Sequence, residues 1–112
     1  MGESMRKLDG IKDTVGKLAT EAPELKNFMD FVKSAEEGNV LDAKTKELIT
    51  FGISVAIRCE PCILWHAASC LELGATREEL LDVIKVAIVM AGGPGMMNAT
   101  KAYEIIDELT TK

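Results

Sequence analysis

Apolar residues along this chain recur at spacings of three and four, the period of a helix with one buried face. Leu8, Ile11, Val15, Leu18 and Ala19 form such a stripe and predict a short helix over 8–19. A second is expected over 23–37, with Pro23 suited to the first turn and Leu25, Phe28, Met29 and Val32 on its apolar face. Gly38-Asn39 would close it in a left-handed cap. Asp42 reads as the N-cap of a third helix over 43–57, and a fourth begins at Glu60-Pro61 and stops at Gly74. Thr76, with Glu79 three residues on, forms a capping box that opens a fifth, reaching about Met90. Gly92-Gly93-Pro94-Gly95 should break the chain before a last helix over 96–109. No alternating strand pattern or hairpin dipeptide interrupts the series. The expectation is an all-α, compact single-domain bundle of about six helices.

Two of these helices, 43–57 and 80–91, are apolar almost all round and need burial on every side. A chain of 112 residues is too small to enclose both. The surplus apolar surface predicts a homo-oligomer whose interfaces cover it.

Composition narrows the function. The formal net charge is −5, spread along the whole length, with none of the basic clustering that a nucleic-acid footprint requires. The charged start MGESMRKLDGIKD is unlike a secretory leader. The longest uncharged stretch, 86–100, contains the Gly-Gly-Pro-Gly break and falls short of the roughly 20 apolar residues of a bilayer span. A cytoplasmic protein without membrane or nucleic-acid partners is expected. The glycines lack the lysine and the preceding strand of a phosphate-binding loop. Met90, Met96 and Met97 beside them read as core filler. No flavin, haem or nicotinamide motif is visible, and no cofactor is expected.

The chemistry sits in Arg58-Cys59-Glu60-Pro61-Cys62-Ile63-Leu64-Trp65-His66, followed by Cys70. Cys59 and Cys62 form a C-x-x-C where a helix begins. A helix N-terminus presents unpaired N–H groups and partial positive charge, both of which favour a thiolate. His66, the single histidine, follows Cys62 by four residues and shares its helix face, in reach as a proton acceptor. A zinc site from Cys59, Cys62, His66 and Cys70 fails on geometry. Cys62 and Cys70 lie about 12 Å apart along one axis, beyond bonds of about 2.3 Å. Cys70 reads instead as a small buried residue, and no metal site is expected.

Glu47, Cys59, Cys62 and His66 together spell E-x11-C-x2-C-x3-H in an all-helical chain. This resembles the alkylhydroperoxidase D-like branch of the carboxymuconolactone decarboxylase superfamily. The likeness spans about residues 20–110 and includes Leu73-Gly74-Ala75-Thr76 and the Gly92-Gly93-Pro94 break. It makes residues 1–112 one domain of that kind, with 1–20 as an N-terminal extension helix and 21–110 as the core. The resemblance implies a thiol-dependent peroxidase or disulfide oxidoreductase with an antioxidant role. Cys59 and Cys62 would cycle between dithiol and disulfide, and His66 and Glu47 would form the proton relay. It also implies a peroxide substrate, a dithiol or lipoyl-type reductant, and a homotrimer or homohexamer. One departure is Pro61, where the best-known members carry another histidine. The alternative is the lyase activity that names the superfamily, in which the C-x-x-C has no role. A third reading makes Cys59–Cys62 a structural or sensing disulfide in a partner-binding oligomer.

Simple geometry tests Glu47. An antiparallel hairpin of 43–57 and 60–73 puts His66 about 10 Å and Glu47 about 18 Å from the pivot. Only a tilted crossing or a bridging water would close that gap.

Overall fold

A computed structural model describes residues 2–111. The described chain is all helix: α1 Glu3–Glu21, α2 Leu25–Glu36, α3 Ala43–Ala56, α4 Glu60–Glu72 and α5 Arg77–Thr110. There are five elements where six were expected. The Gly-Gly-Pro-Gly segment does break helical geometry, at Gly92 (φ 68°, ψ −156°), so α5 is two helical stretches joined across a kink, the two that the sequence predicts as separate helices. The positive φ suits a glycine there. Pro94 falls in the first turn after the bend, where its missing N–H costs little.

Local signals account for most boundaries. Asp42 accepts a hydrogen bond from the Thr45 amide at 2.7 Å. Thr76 and Glu79 exchange both bonds of the capping box. Gly74, at φ 91°, closes α4 in the left-handed region. Two expectations need correction. Gly38 does not adopt a left-handed cap; α2 ends on Glu37 in extended backbone (φ −65°, ψ 138°). Helix α1 starts at Glu3, well before the apolar stripe begins, because Ser4 is tied to the Glu108 carboxylate through its amide and its hydroxyl.

The core lies between α3, α4 and α5. Phe51 and Val55 meet Ile63, Ala67 and Cys70 on one side and Leu80, Ile84 and Ile106 on the other. A second cluster joins α1 to α4 through Leu8, Leu64 and Ala68. Helix α2 packs on α3 with none of its own residues fully buried.

By length and composition alone, α5 is the one described helix that could cross a membrane. The turn at Gly92 divides it into 77–91 and 93–110, each shorter than a span of about 20 residues, and one face packs into the core.

The apolar surplus expected of α3 and of the first half of α5 is plain. Ile49, Ile53, Ile57, Val86, Val89 and Met90 are exposed, Met90 to 85%. An open cleft of about 450 Å³ runs between the two helices over Leu48, Gly52 and Val83. Met96 and Met97 are exposed as well, so the methionines beside the bend are surface residues and not core filler.

Candidate active site

The connector from α3 to α4 is three residues long and sharply turned. Arg58 adopts φ 61°, the one non-glycine left-handed residue among those described. Such a conformation costs of order 1–3 kcal/mol and is held only where neighbours dictate it. Here the Cys59 amide donates to the Ser54 carbonyl at 3.2 Å. The Asn98 side chain, just past the bend in α5, donates to the Val55 carbonyl at 2.9 Å. The last turn of α3 is thereby tied to both neighbouring helices.

That turn delivers Cys59 to the N-cap of α4, as its spacing predicts. Cys59 Sγ accepts from the Cys62 amide at 3.3 Å. Cys59 and Cys62 are joined as a disulfide, with Cα atoms 5.2 Å apart, and both are partly exposed. The pair therefore stands in its oxidised form at a helix start, with solvent access. Glu60 in the same first turn meets Lys7 of α1 at 3.2 Å, which ties the extension helix to the disulfide end of α4.

One turn along, His66 Nδ1 lies 3.0 Å from Glu47 Oε2. The 8 Å mismatch from hairpin arithmetic is overturned by this contact. The two helices therefore do not keep the register of a simple antiparallel hairpin pivoting on their shared end. Glu47 is 6% exposed, against the solvated carboxylate that its Lys-Thr-Lys-Glu surroundings suggest. Burial of a carboxylate is tolerated when it is paired and hydrogen-bonded, as it is here.

The bond sets the protonation pattern. A carboxylate at Nδ1 fixes the proton on that nitrogen and leaves Nε2 as the acceptor. The imidazole can then take a proton at Nε2 while Glu47 stabilises the cation that forms. This is an orienter–base pair placed one helical turn from a cysteine, the arrangement used to activate a nucleophile.

A second carboxyl group, which the sequence pattern did not single out, joins this pair. Glu36, at the end of α2, has its Oε2 3.9 Å from His66 Nδ1. The signal was its position. Met29, Val32 and Glu36 fall at i, i+3 and i+7, so the carboxyl continues the apolar stripe of α2. Burial raises the Glu36 pKa, helped by a side-chain hydrogen bond to Glu47 and by the Glu47 charge, while His66 opposes them. Among the described residues, Glu36, Glu47 and His66 form the one group of three such donors that converges, with atoms within 4.8 Å. His66 and Glu47 bond each other directly and Glu36 lies 3.9 Å from the same nitrogen, so together they read as a proton-sharing cluster. Cys59 and Cys62, bonded to each other, present no thiolate in this form. Cys70 is fully buried; desolvation, with the charges of Glu47 and Glu79, pushes its thiol up to about 12. It takes no part in chemistry at neutral pH.

Fold and site together define an all-helical protein with a redox-ready C-x-x-C at a helix start and a His–Glu pair behind it. Residues 23–104 match the profile of the carboxymuconolactone decarboxylase family, and the chain belongs to that family. A crystal structure of a member from Legionella pneumophila, without ligand, superposes with a TM-score of 0.89 at 36% identity, covering 97% of this chain and 98% of that one. A member from Thermotoga maritima, whose description conjectures a part in an antioxidative response, gives a TM-score of 0.73 at 30% identity, over 77% and 89% of the two chains. An uncharacterized protein of Cupriavidus necator is 40% identical over 82 residues, 73% of each chain.

Proposed function

We propose that this protein is a thiol-dependent peroxidase or disulfide oxidoreductase with an antioxidant role, in which Cys59 and Cys62 cycle between dithiol and disulfide. The observation that carries the reading is the 3.0 Å His66–Glu47 bond one turn beyond a C-x-x-C at a helix N-terminus. The Thermotoga relative's conjectured role points the same way.

In the reduced protein His66 accepts the thiol proton of Cys62 at Nε2, and the Cys62 thiolate attacks the peroxide. A sulfur–oxygen bond forms, the oxygen–oxygen bond breaks, and the alcohol or water leaves with the proton from His66. Cys59 then attacks the sulfenic sulfur, releasing water and closing the disulfide. An external dithiol, of the lipoyl type or similar, returns the pair to the reduced state by exchange and is itself oxidised to a disulfide. A cytoplasmic setting, where thiol reductants are plentiful, suits this cycle.

The test is peroxide consumption by the purified chain with a panel of dithiols. Turnover is expected, and the Cys59→Ser/Cys62→Ser double variant should show none. Failure to turn over with any of the dithiols would refute the reading. Lyase activity that persists after both thiols are blocked would favour the superfamily's namesake reaction instead.

The exposed face of α3 and α5 belongs, in this proposal, between copies of the chain, in a homotrimer or homohexamer. Isolated apolar patches of that extent mark interaction surfaces. Light scattering should report three or six chains. Val89→Glu, a charge placed on this face, should lower that number while circular dichroism stays helical. A wild-type chain that remains monomeric at high concentration would count against the assembly.

A further inference from the structure

The cluster behind the cysteines holds one group more than the relay needs. Glu36 belongs to α2, the helix with no fully buried residue, yet its position is firmly held. Lys46 Nζ donates to the carbonyls on either side of it, Ala35 at 3.0 Å and Glu37 at 2.7 Å. The cation closes the carboxyl end of α2, where it also complements the helix dipole. Glu36 is thereby pinned against α3, with its carboxyl 3.9 Å from His66 Nδ1 and its oxygen within 4.8 Å of the nearest Glu47 and His66 atoms.

We propose that Glu36 is a positioning residue for the relay: its carboxyl group donates a hydrogen bond to Glu47 and so anchors α2 over the site and fixes the geometry of the His66–Glu47 pair. This deepens the function proposed above and rests on that reading for its catalytic part.

Charge and donor supply decide which carboxyl group holds the proton. Two adjacent carboxylates in a half-buried cluster repel, so one of them keeps its proton. Glu47 is the more buried and has the direct 3.0 Å bond to His66, which suits it to be the anion. Glu36 stands 3.9 Å from the same nitrogen and is the group whose pKa is raised. A protonated Glu36 gives Glu47 a second donor, weakens its pull on the Nδ1 proton and keeps Nε2 free to serve Cys62. The groups facing Glu36 are Glu47 and Lys46 from α3 and His66 from α4, with Lys33 on its own helix. From α1 come Val15, Leu18 and Ala19, none of which titrates.

The sign with pH follows. A folded-state pKa raised above the unfolded value means that the tie contributes fully below the ordinary glutamic acid range. Its contribution is lost as pH rises through the raised value. Above it the pair is doubly negative, and α2 should loosen.

Trp65 reports this directly. It is the single tryptophan and shares with Glu36 and α2 a cleft of about 430 Å³, lined also by Leu18, Phe28 and Val32. The experiment records Trp65 emission against pH in the full-length wild type, E36Q and E36A, with the pH profile of kcat for peroxide alongside. In the wild type the emission should move to the red as Glu36 ionises. E36Q, whose amide still donates but does not titrate, should hold the docked emission at every pH. E36A should show the undocked emission throughout and a kcat lower by up to about 10²-fold, the cost of a misplacement near one ångström, with KM unchanged. E36Q should restore most of that loss and remove the wild-type pH step.

A wild-type pH transition that survives in E36Q would overturn the proposal, since the signal would then belong to neighbouring His66. Docked emission in E36A would overturn it too. If the three emission profiles come out as expected but no protein turns over peroxide, the Glu36 tie stands and the peroxidase reading is what fails.

Discussion

Cys62→Ser should abolish rapid reaction with peroxide, while Cys59→Ser should react once and stop with a sulfenic acid on Cys62. The structure gives each sulfur a different advantage. Cys59, at the N-cap, lies in the partial positive field of α4, which lowers a thiol's pKa. Cys62 lies one turn from His66 on the same face and has the base. Attack on a peroxide needs more than a thiolate, because the leaving oxygen must be protonated as the oxygen–oxygen bond breaks. Only the sulfur beside the relay couples the two events. Trapping the sulfenic acid with a dimedone-type reagent and locating it by mass spectrometry decides the matter. Oxidation trapped on Cys59 in Cys62→Ser, at the wild-type rate, would exchange the two roles and leave His66 serving the resolving step.

Loss of the base should be the other large effect. His66→Ala is expected to slow peroxide reduction by roughly 10²–10⁴-fold, the usual range for a positioned proton-transfer group. Glu47→Gln should cost less, since the amide keeps the volume and can still accept through its oxygen, but it no longer stabilises an imidazolium. Its signature is a changed pH profile with little change in KM. Glu47→Ala should be worse for the fold than for chemistry alone, because a partly buried Nδ1–H left without an acceptor costs about 1–3 kcal/mol. Wild-type rates for Glu47→Gln between about pH 5 and 8, where a histidine ordinarily changes charge, would sink the relay.

The helices were readable where a residue carries its own instruction. Asp42, Thr76 with Glu79, and Gly74 each act on backbone groups within a few residues, and all three do what their chemistry dictates. The C-x-x-C at the N-cap and the i,i+4 placement of His66 were local in the same sense. What escaped depends on groups distant in sequence. The start of α1 is decided by Glu108 at the other end of the chain. Gly38 was free to be left-handed, but Lys46 already satisfies the Ala35 carbonyl, one of those such a cap would serve. Glu47 was drawn into the site by the family pattern while hairpin geometry argued against it, because how two helices cross is settled by packing beyond either one's sequence. Glu36 stood on the right face of α2, yet nothing in its neighbourhood announces that α2 folds back over α4.

The burial of Cys70 has a consequence for how electrons are counted. A chain with three thiols can in principle form three different disulfides and leave a different sulfur stranded each time. Here the third is sealed in the core with its proton held to about 12, so it neither attacks nor is attacked while the fold persists. The native protein then behaves as a single two-electron couple, and its redox titration should follow one Nernst curve with a slope near 30 mV per decade. Scrambled Cys62–Cys70 or Cys59–Cys70 pairs become reachable only through unfolding. Their appearance under oxidation would therefore measure how often the core opens.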